Sequence, residues 1–370
     1  MVSDDYYLHE DLMEEIMVRL PVKSLLRFKC VAKSWYALIT DPSFISKHLE
    51  RSNSISKNLH LKLIFQLFSQ YLPVTISLIS NIEQPRVIRN LELPCSTNDL
   101  KWILVYGQCN GIFFLCGDYE GDVRCSILWN PATKEVKAIP TSQRQPKGIN
   151  PTNFGFGFDP ITKDYKVVRF PICPVEKNDQ PLVEVYNLST NSWRKIDADV
   201  SFFEFPYSYR GPYLNGAYHW LCRDLDEINK FIVSFDFSKE VFKIIQSPPG
   251  ITSSSTENNL LTTMDECLAW FVKYDSIEFR VEIWVMNEYG VESSWSKKFV
   301  VRPFSESWHI LGFWGDNEIL VYENISGQMI SYNFRNGQRQ RLQNHFPTMK
   351  MMDYVESLCP LGGKGKYQKI

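Results

Sequence analysis

Residues 8–49 read LHEDLMEEIMVRLPVKSLLRFKCVAKSWYALITDPSFISKHL, and this stretch determines how the chain is organised. Its first apolar side chains recur at every fourth position, the spacing of one helix face: Leu8, Leu12, Ile16 and Leu20. Pro21 ends that helix because it has no backbone N–H. The segment is too short to bury all of its apolar side chains within itself. This surplus indicates a docking element for another protein and argues against an enzyme active site.

Two further helices are predicted in the same segment. Ser24 is expected to cap the second helix, because a serine side chain accepts hydrogen bonds from the free N–H groups of a first turn. Asp41 and Pro42 indicate that one helix stops and another begins, with the proline in the first turn of the new helix. Together these residues predict a small all-α module over residues 5–50.

From about residue 58 the sequence changes to short strands separated by Gly, Asn, Asp and Pro. One pattern, a strand that ends in Asn or Asp before a polar turn, recurs every 46 to 57 residues, with copies ending at Asn81, Asn130, Asn187, Asp236, Asn287 and Asn333. Each unit holds up to four strands, which matches the period of a kelch-like propeller blade. The predicted fold is therefore a small all-α module followed by an all-β, propeller-like domain of about six blades over residues 58–360.

The closure of the propeller and its turns are also predicted. Residues 354–358 are expected to complete the blade that begins near residues 60–80, and the basic residues 361–370 are expected to form a disordered tail. Asn130 and Asn187 are interpreted as turn residues, because an Asn side chain bonds the backbone two residues further on.

Composition excludes several classes of function. A net charge of -2 and a pI of about 6.3 argue against a nucleic-acid partner. No apolar run approaches the ~18 residues that a membrane-spanning helix needs. The 9 cysteines are scattered without a CxxC pair, and the N terminus lacks the pattern of a signal peptide. We therefore expect free thiols in a reducing compartment, the cytoplasm or the nucleus.

The sequence contains no G-x-S-x-G, H-E-x-x-H or Walker phosphate motif. His219 and His309 both follow blade signatures, which leaves two interpretations open: a metal or catalytic pair, or histidines packed in the core. Packing is favoured for His219, because it precedes Trp220 within a strand. We therefore predict no catalytic residue, no metal site and no cofactor.

The helical segment resembles the F-box of plant F-box proteins. The similarity is carried by Leu12, Ile16, residues 20–25, residues 27–31, Lys33-Ser34-Trp35 and Pro42-Ser43-Phe44. Two departures are Leu8-His9 at the usual Leu-Pro start and Ala32 in place of a cysteine. The strand region resembles the F-box-associated domain of the same family, and the whole arrangement is similar to S-locus F-box and S-locus F-box-like proteins. That similarity is carried by Cys109-Asn110-Gly111, residues 128–133, residues 156–160, residues 164–169 and residues 183–186.

The resemblance implies a non-catalytic substrate receptor of a Skp–cullin–F-box ubiquitin ligase. The F-box would bind a Skp-type adaptor and, through it, a cullin scaffold and a RING protein. The propeller would present a bound target for ubiquitination and proteasomal degradation. The residues expected to bind the adaptor or to form the core of the module are Leu12, Ile16, Leu20, Pro21, Val22, Leu25, Phe28, Val31 and Trp35.

Propeller loops are expected to bind the target, because loops carry function on a rigid scaffold. The candidates interleave acidic and aromatic residues, which would suit a basic protein: Asp197, Asp199, Phe203, Glu204, Phe205, Tyr207, Tyr209, Asp224, Asp226 and Glu227. The S-locus subgroup would imply an S-ribonuclease in pollen self-incompatibility as the target. The alternatives are another target, such as an immune receptor or a regulator, a solvated acidic loop, a propeller adaptor without ligase coupling, and a propeller enzyme with acids or histidines in its channel.

Overall fold

The computed structural model describes residues 9–66, 75–80, 86–92, 100–119, 124–142, 152–171, 182–198, 200, 211–224, 229–251, 259–274, 279–302, 305, 307–345 and 349–362. The described chain begins with an α-helical module and continues as a ring of β-sheets, as the sequence predicts. The helices of the module are α1 (Glu10–Met17), α2 (Val22–Phe28), α3 (Lys33–Thr40) and α4 (Pro42–Leu59).

The helix ends follow from local sequence with one exception. Asp41 caps α4, because its Oδ1 accepts hydrogen bonds from the N–H of Ser43 at 2.8 Å and of Phe44 at 3.3 Å, and Pro42 occupies the first turn as predicted. The prediction for Ser24 is wrong. Helix α2 begins two residues earlier, at Val22, and has no side-chain cap from its own N-cap residue, Pro21.

The described strands form six four-stranded sheets, each with antiparallel neighbours, which confirms six propeller blades. Blade 1 contains β24 (Met349–Asp353), β1 (Lys62–Gln66), β2 (Thr75–Ser80) and β3 (Arg86–Leu91); blade 2 contains β4 (Leu100–Cys109), β5 (Ile112–Tyr119), β6 (Arg124–Asn130) and β7 (Glu135–Ile139); blade 3 contains β8 (Thr152–Asp159), β9 (Asp164–Pro171), β10 (Val183–Asn187) and β11 (Ser192–Ile196). Blade 4 contains β12 (Tyr213–Leu214), β13 (Ala217–Arg223), β14 (Lys230–Asp236) and β15 (Val241–Gln246); blade 5 contains β16 (Leu260–Met264), β17 (Cys267–Tyr274), β18 (Arg280–Met286) and β19 (Trp295–Val301); blade 6 contains β20 (Trp308–Gly315), β21 (Glu318–Glu323), β22 (Gln328–Asn333) and β23 (Arg339–His345).

The ring closes because blade 1 takes its first strand from the C-terminal end of the chain. Strand β24 pairs with β1 in the register Lys62 to Asp353 and Gln66 to Met349, and it lies beside β20 and β4 of the neighbouring blades. The predicted closing strand, residues 354–358, is therefore misplaced by five residues. Those residues follow the closing strand and have no regular secondary structure.

Blade turns show the predicted Asn chemistry. The Oδ1 atom of Asn130 accepts hydrogen bonds from the N–H groups of Ala132 at 3.0 Å and Thr133 at 3.3 Å, which confirms its interpretation as a turn residue. Asn187 also lies at a turn, but its side chain bonds another side chain where that of Asn130 bonds the backbone. Its Nδ2 donates to the Asp164 carboxylate at 3.1 Å. That carboxylate also accepts the Ser189 N–H at 3.0 Å and so holds the turn from a neighbouring strand.

The blades pack through large aromatic side chains, and glycines allow the closest approach. A Cβ atom on Gly155 of β8 would lie 2.6 Å from the Trp220 ring of blade 4, so any larger residue would push the two blades apart. Gly155 therefore serves the packing between blades 3 and 4. Trp220 is itself buried, and its indole N–H donates to the Phe154 carbonyl at 3.2 Å.

A buried charge network also joins blades 3 and 4. The Lys166 ammonium lies 2.8 Å from the Asp159 carboxylate and 2.9 Å from that of Glu240, and Ser238 donates to Asp159 at 2.6 Å. Burial disfavours the charge on Asp159, but the bonds from Lys166, Ser238 and Thr162 outweigh it and hold its pKa well below the usual range. The network therefore depends on an ionised Asp159.

This dependence predicts an acid-sensitive step in stability. The unfolded chain takes up a proton at Asp159 near pH ~4, whereas the folded chain does so only at a lower pH, so the stabilisation is present above about pH 4 and is lost as the pH falls towards the folded pKa. We expect Asp159→Asn to be less stable than the wild type at neutral pH and to lose less stability on acidification. Urea unfolding across this pH interval measures both effects.

The matched control for this measurement is Asp265→Asn, which alters an exposed turn residue of blade 5. Its pH profile should run parallel to that of the wild type. A profile for Asp159→Asn that also runs parallel to the wild type would show that Asp159 does not carry the acid sensitivity.

Candidate docking site

The helical module exposes an apolar surface that no part of the described chain covers. Leu12 and Ile16 of α1 retain 57% and 50% of their accessible surface, and Val31 and Tyr36 near the start of α3 retain 62% and 55%. Large apolar side chains exposed to this extent on one small module are typical of a protein-binding surface. We call these four residues, with the exposed Pro21, the docking face.

Other predicted adaptor residues lie inside the module. Val22 and Leu25 are fully buried, where they pack with Met17, Ile39 and Phe44. Leu20, Phe28 and Trp35 are half-buried and pack against the same core, with the rings of Phe28 and Trp35 5.2 Å apart. The nine residues predicted from sequence therefore divide between the surface and the core. Leu12, Ile16, Pro21 and Val31 are exposed in this conformation, whereas Val22 and Leu25 support the face from beneath.

The turn between α1 and α2 is held by a buried histidine. The His48 Nε2 atom lies 3.0 Å from the carbonyl oxygen of Leu20, and the ring stacks on Phe44. Burial lowers the pKa of His48, so its imidazole is neutral near pH 7. Because a carbonyl only accepts, Nε2 carries the proton and Nδ1 accepts from Ser52 at 3.4 Å. This bond fixes the turn that carries Leu20 and Pro21.

Charge is distributed unevenly around the docking face. Helix α1 carries the acidic residues Glu10, Asp11, Glu14 and Glu15, whereas the segment from α2 to the start of α3 carries the basic residues Lys23, Arg27, Lys29 and Lys33. An open depression of about 530 Å³ on the basic side is lined by Lys29, Cys30, Val31, Ala32, Lys33 and Tyr36. The depression suits an apolar side chain flanked by acidic groups.

Tyr36 is a member of the docking face that the sequence analysis missed. It lies in the run Trp35-Tyr36-Ala37-Leu38-Ile39, which is apolar or aromatic throughout. Periodicity therefore cannot show which side of α3 faces outwards. Because Tyr36 is exposed, as Val31 is, the side of α3 that carries Tyr36 faces the solvent.

Few of the predicted target-binding residues lie in the described part of the chain. Asp197 is exposed just after β11. Asp224 stabilises its own loop, because its carboxylate accepts from the backbone N–H of Asn229 at 3.1 Å and from its side-chain amide at 2.7 Å. The remaining candidates, Asp199, Phe203, Glu204, Phe205, Tyr207, Tyr209, Asp226 and Glu227, lie outside the described residues.

The centre of the propeller contains a partly open cavity of about 110 Å³. Leu260, Leu261, Leu311 and Phe313 contribute apolar walls, and the ionisable side chains among its described lining residues are Lys62, Tyr213, Lys350 and Asp353. Asp353 forms an ion pair with Lys62, and Lys350 donates to the Val105 carbonyl. The converging acids or histidines that a propeller enzyme would need are not among these described lining residues.

The two histidines considered as a pair have separate surroundings. His219 is fully buried, and burial lowers its pKa to about 4. Its Nδ1 donates to the Pro212 carbonyl at 3.1 Å, so Nε2 accepts from the Tyr289 hydroxyl at 2.9 Å. This confirms His219 as a packed core histidine. His309 contacts Asn324 of its own blade, and the described residues contain no group of three or more potential metal ligands.

The fold defines a class of protein: a helical module with exposed apolar side chains, attached to a six-bladed β-propeller. Family models match both parts, the F-box domain over residues 7–47 and the F-box associated beta propeller domain over residues 63–360. The second match covers most of the chain. The protein therefore belongs to the plant F-box proteins that carry an F-box-associated propeller.

Several similar proteins come from Arabidopsis thaliana. The F-box protein CPR1 is 29% identical over 316 residues, which are 79% of this chain and 72% of CPR1. An F-box/kelch-repeat protein is 26% identical over 88% of each chain. Among solved structures, TolB from Acinetobacter baumannii is similar over 84% of this chain and 72% of TolB, with 13% identity and a TM-score of 0.48. Among the described helices, none has the length and apolar character that crossing a bilayer requires.

The division of the predicted residues between surface and core leads to a stability test on two leucines of the module. Leu25→Ala should lower the free energy of unfolding by about 2–5 kcal/mol, because it leaves a cavity in the helical core. Leu12→Ala, the matched control on the docking face, should change it by less than about 0.5 kcal/mol. Denaturant unfolding of both variants measures the difference. Equal destabilisation would mean that Leu12 also belongs to the core.

Proposed function

We propose that this protein is the substrate receptor of a Skp–cullin–F-box ubiquitin ligase. The F-box family match implies a Skp-type adaptor as its partner and a protein as its substrate. The observation that supports the proposal most directly is the docking face, on which Leu12, Ile16, Val31 and Tyr36 remain exposed. A cullin scaffold and a RING protein would join through the adaptor.

The exposed side chains would contribute to adaptor binding. Complete burial of a large apolar side chain contributes about 1.5–3 kcal/mol, and these four retain about half of their accessible surface, so burying the rest would supply several kcal/mol before the costs of association. Pro21 of the docking face and the half-buried Leu20 lie in the turn between α1 and α2, which His48 holds in place. The basic residues of α2 would add electrostatic attraction to an acidic adaptor surface.

The receptor itself would catalyse no reaction. Its contribution would be proximity, since a target held on the propeller is presented to a ubiquitin-loaded enzyme as an intramolecular neighbour. The described lining of the central cavity, with one paired carboxylate and two lysines, supports this reading over that of a propeller enzyme. The seven described cysteines are free, which agrees with work in the reducing cytoplasm or nucleus.

The proposed target of the receptor is a protein bound at the propeller loops. A basic protein, with an S-ribonuclease of pollen self-incompatibility as the specific case, is predicted from the acidic and aromatic segment around residues 197–213. Most of that segment lies outside the described residues, so the S-ribonuclease stays a prediction from sequence. An immune receptor or another regulator fits the same ligase role.

Adaptor binding can be tested on the docking face. The double change Leu12→Asp and Ile16→Asp should abolish co-purification with a Skp-type adaptor, because it places two charges where apolar contacts are needed. Ile325→Asp is the matched control, since Ile325 is 88% exposed in a turn of blade 6. It should bind the adaptor as well as the wild type does. Undiminished binding by the double variant would contradict the proposed interface.

The target can be identified by affinity purification from the native tissue after proteasome inhibition. We expect the wild-type chain to retain both adaptor and target, and the Leu12→Asp, Ile16→Asp variant to retain the target alone. Recovery of a ribonuclease from pollen would support the S-locus prediction. Recovery of another protein whose abundance rises on proteasome inhibition would support the broader ligase role and exclude the S-locus one.

A further inference from the structure

Residues 354–361, which we call the C-terminal strap, follow the closing strand β24 and run between the propeller and the helical module. The strap has no regular secondary structure, yet most of its side chains are buried, including Tyr354, Ser357, Leu358 and Leu361. Leu361 stands in the stretch predicted to be a disordered tail, and its side chain lies in the core shared by blades 2 and 3. An irregular segment this deeply buried needs specific partners for its backbone.

Blade 2 supplies partners on the propeller side. The Nδ2 atom of Asn130 donates to the carbonyl oxygens of Ser357 at 3.0 Å and Cys359 at 3.1 Å, while its Oδ1 caps its own turn. The carboxylate of Glu135 accepts the Leu361 N–H at 3.0 Å. Asn130 is fully buried and uses both ends of its amide. Its role therefore extends beyond the turn that the sequence predicts.

A second sequence motif also serves the strap. Gly111 of Cys109-Asn110-Gly111 has a φ of 76°, and a Cβ atom at this position would lie 2.4 Å from the Val355 carbonyl oxygen. A glycine is therefore required both by the backbone conformation and by the close approach of the strap. Two of the motifs that identify the propeller family in this chain hold its C-terminal end.

On its other side the strap holds the helical module. The carboxylate of Glu356 accepts the N–H of Val22 at 3.1 Å and so supplies the cap that α2 lacks from its own N-cap residue. Leu358 packs into the helical core with Val22 and Leu25. The Ser56 hydroxyl of α4 donates to the Tyr354 carbonyl. The strap thus contacts α2 directly after Pro21, which belongs to the docking face.

We propose that the C-terminal strap is a positioning element that fixes the orientation of the helical module on the propeller. This inference rests on the proposed function in one respect: a fixed orientation sets where the propeller stands relative to an adaptor bound at the docking face. The strap is hydrogen-bonded to blade 2 through Asn130 and to α2 through Glu356. It therefore holds α2 at a fixed position relative to blade 2. Proximity catalysis depends on that geometry.

The orientation can be measured without an adaptor. Spin labels are introduced through a non-natural amino acid at Ser46 on α4 and at Ile325 in blade 6, both of which are exposed, and the distance distribution between them is recorded on the full chain. Asn130→Asp keeps the oxygen that caps the turn but cannot donate to the strap, and Leu358→Ala removes the apolar anchor. We expect the distribution to broaden in both variants. An unchanged distribution in both would overturn the proposal.

Two controls separate loosening of the strap from general damage. Asn333→Asp makes the same change in blade 6, where Asn333 Oδ1 accepts from Arg335 and Asn336 in an equivalent turn, and it should retain the narrow distribution. Glu356→Ala should broaden the distribution, whereas Glu356→Gln should restore it because an amide oxygen still accepts the Val22 N–H. Broadening in Asn333→Asp equal to that in Asn130→Asp would show a general effect and overturn the role of the strap.

The consequence for ubiquitin transfer is tested in the reconstituted ligase with the receptor as its own substrate. Mass spectrometry maps which propeller lysines become modified. We expect a restricted set in the wild type and a broader set in Asn130→Asp and Glu356→Ala, with adaptor binding unchanged. The same restricted set in all variants would overturn the positioning role. Failure of the wild type to bind the adaptor would instead refute the proposed function, while the distance measurement still decides what the strap does.

Discussion

The antiparallel pairing of β24 with β1 is the interaction on which the rest of this structure depends. It joins residues 349–353 to residues 62–66 and completes blade 1 with a strand from the far end of the chain. Because β24 also contacts β20 and β4, the pairing converts a row of sheets into a ring. A ring without this strand would leave an open edge and an unpaired apolar face between two blades.

The same pairing delivers the C-terminal strap to the helical module. The strap begins at the residue after β24, so ring closure determines where Glu356 and Leu358 lie. These two residues then complete α2, one as a cap and the other as a core side chain. The helical module that presents the docking face therefore needs a cap and a core side chain from residues more than three hundred positions further along the chain. The helical module and the closing strand of the propeller are therefore connected through a few hydrogen bonds and the packing of Leu358.

Predictions from sequence succeeded where local chemistry decides the structure. Asp41 and Pro42 define a helix boundary by themselves, and Asn130 forms its turn with the two residues that follow it. The blade repeat can be read from the sequence because the third strands of blades 2, 3, 4 and 6 end in Asn or Asp before a short turn. The prediction for Ser24 was wrong because the cap of α2 comes from Glu356, and no local pattern can show a partner so distant in sequence. The closing strand was misplaced for a related reason, since residues 349–353 and 354–358 both read as short apolar segments.

The sequence by itself determined the family, the division into a helical module and six blades, and the surplus of apolar residues that marks a docking element. These features rest on periodicity and on turn residues, which act over a few positions. Only the tertiary structure decided which of those apolar residues face outwards, because Leu12 and Leu25 have the same chemistry and differ only in what packs against them. It also decided how the module sits on the propeller, because that arrangement depends on contacts between Asn130, the strap and α2 that chain closure brings together.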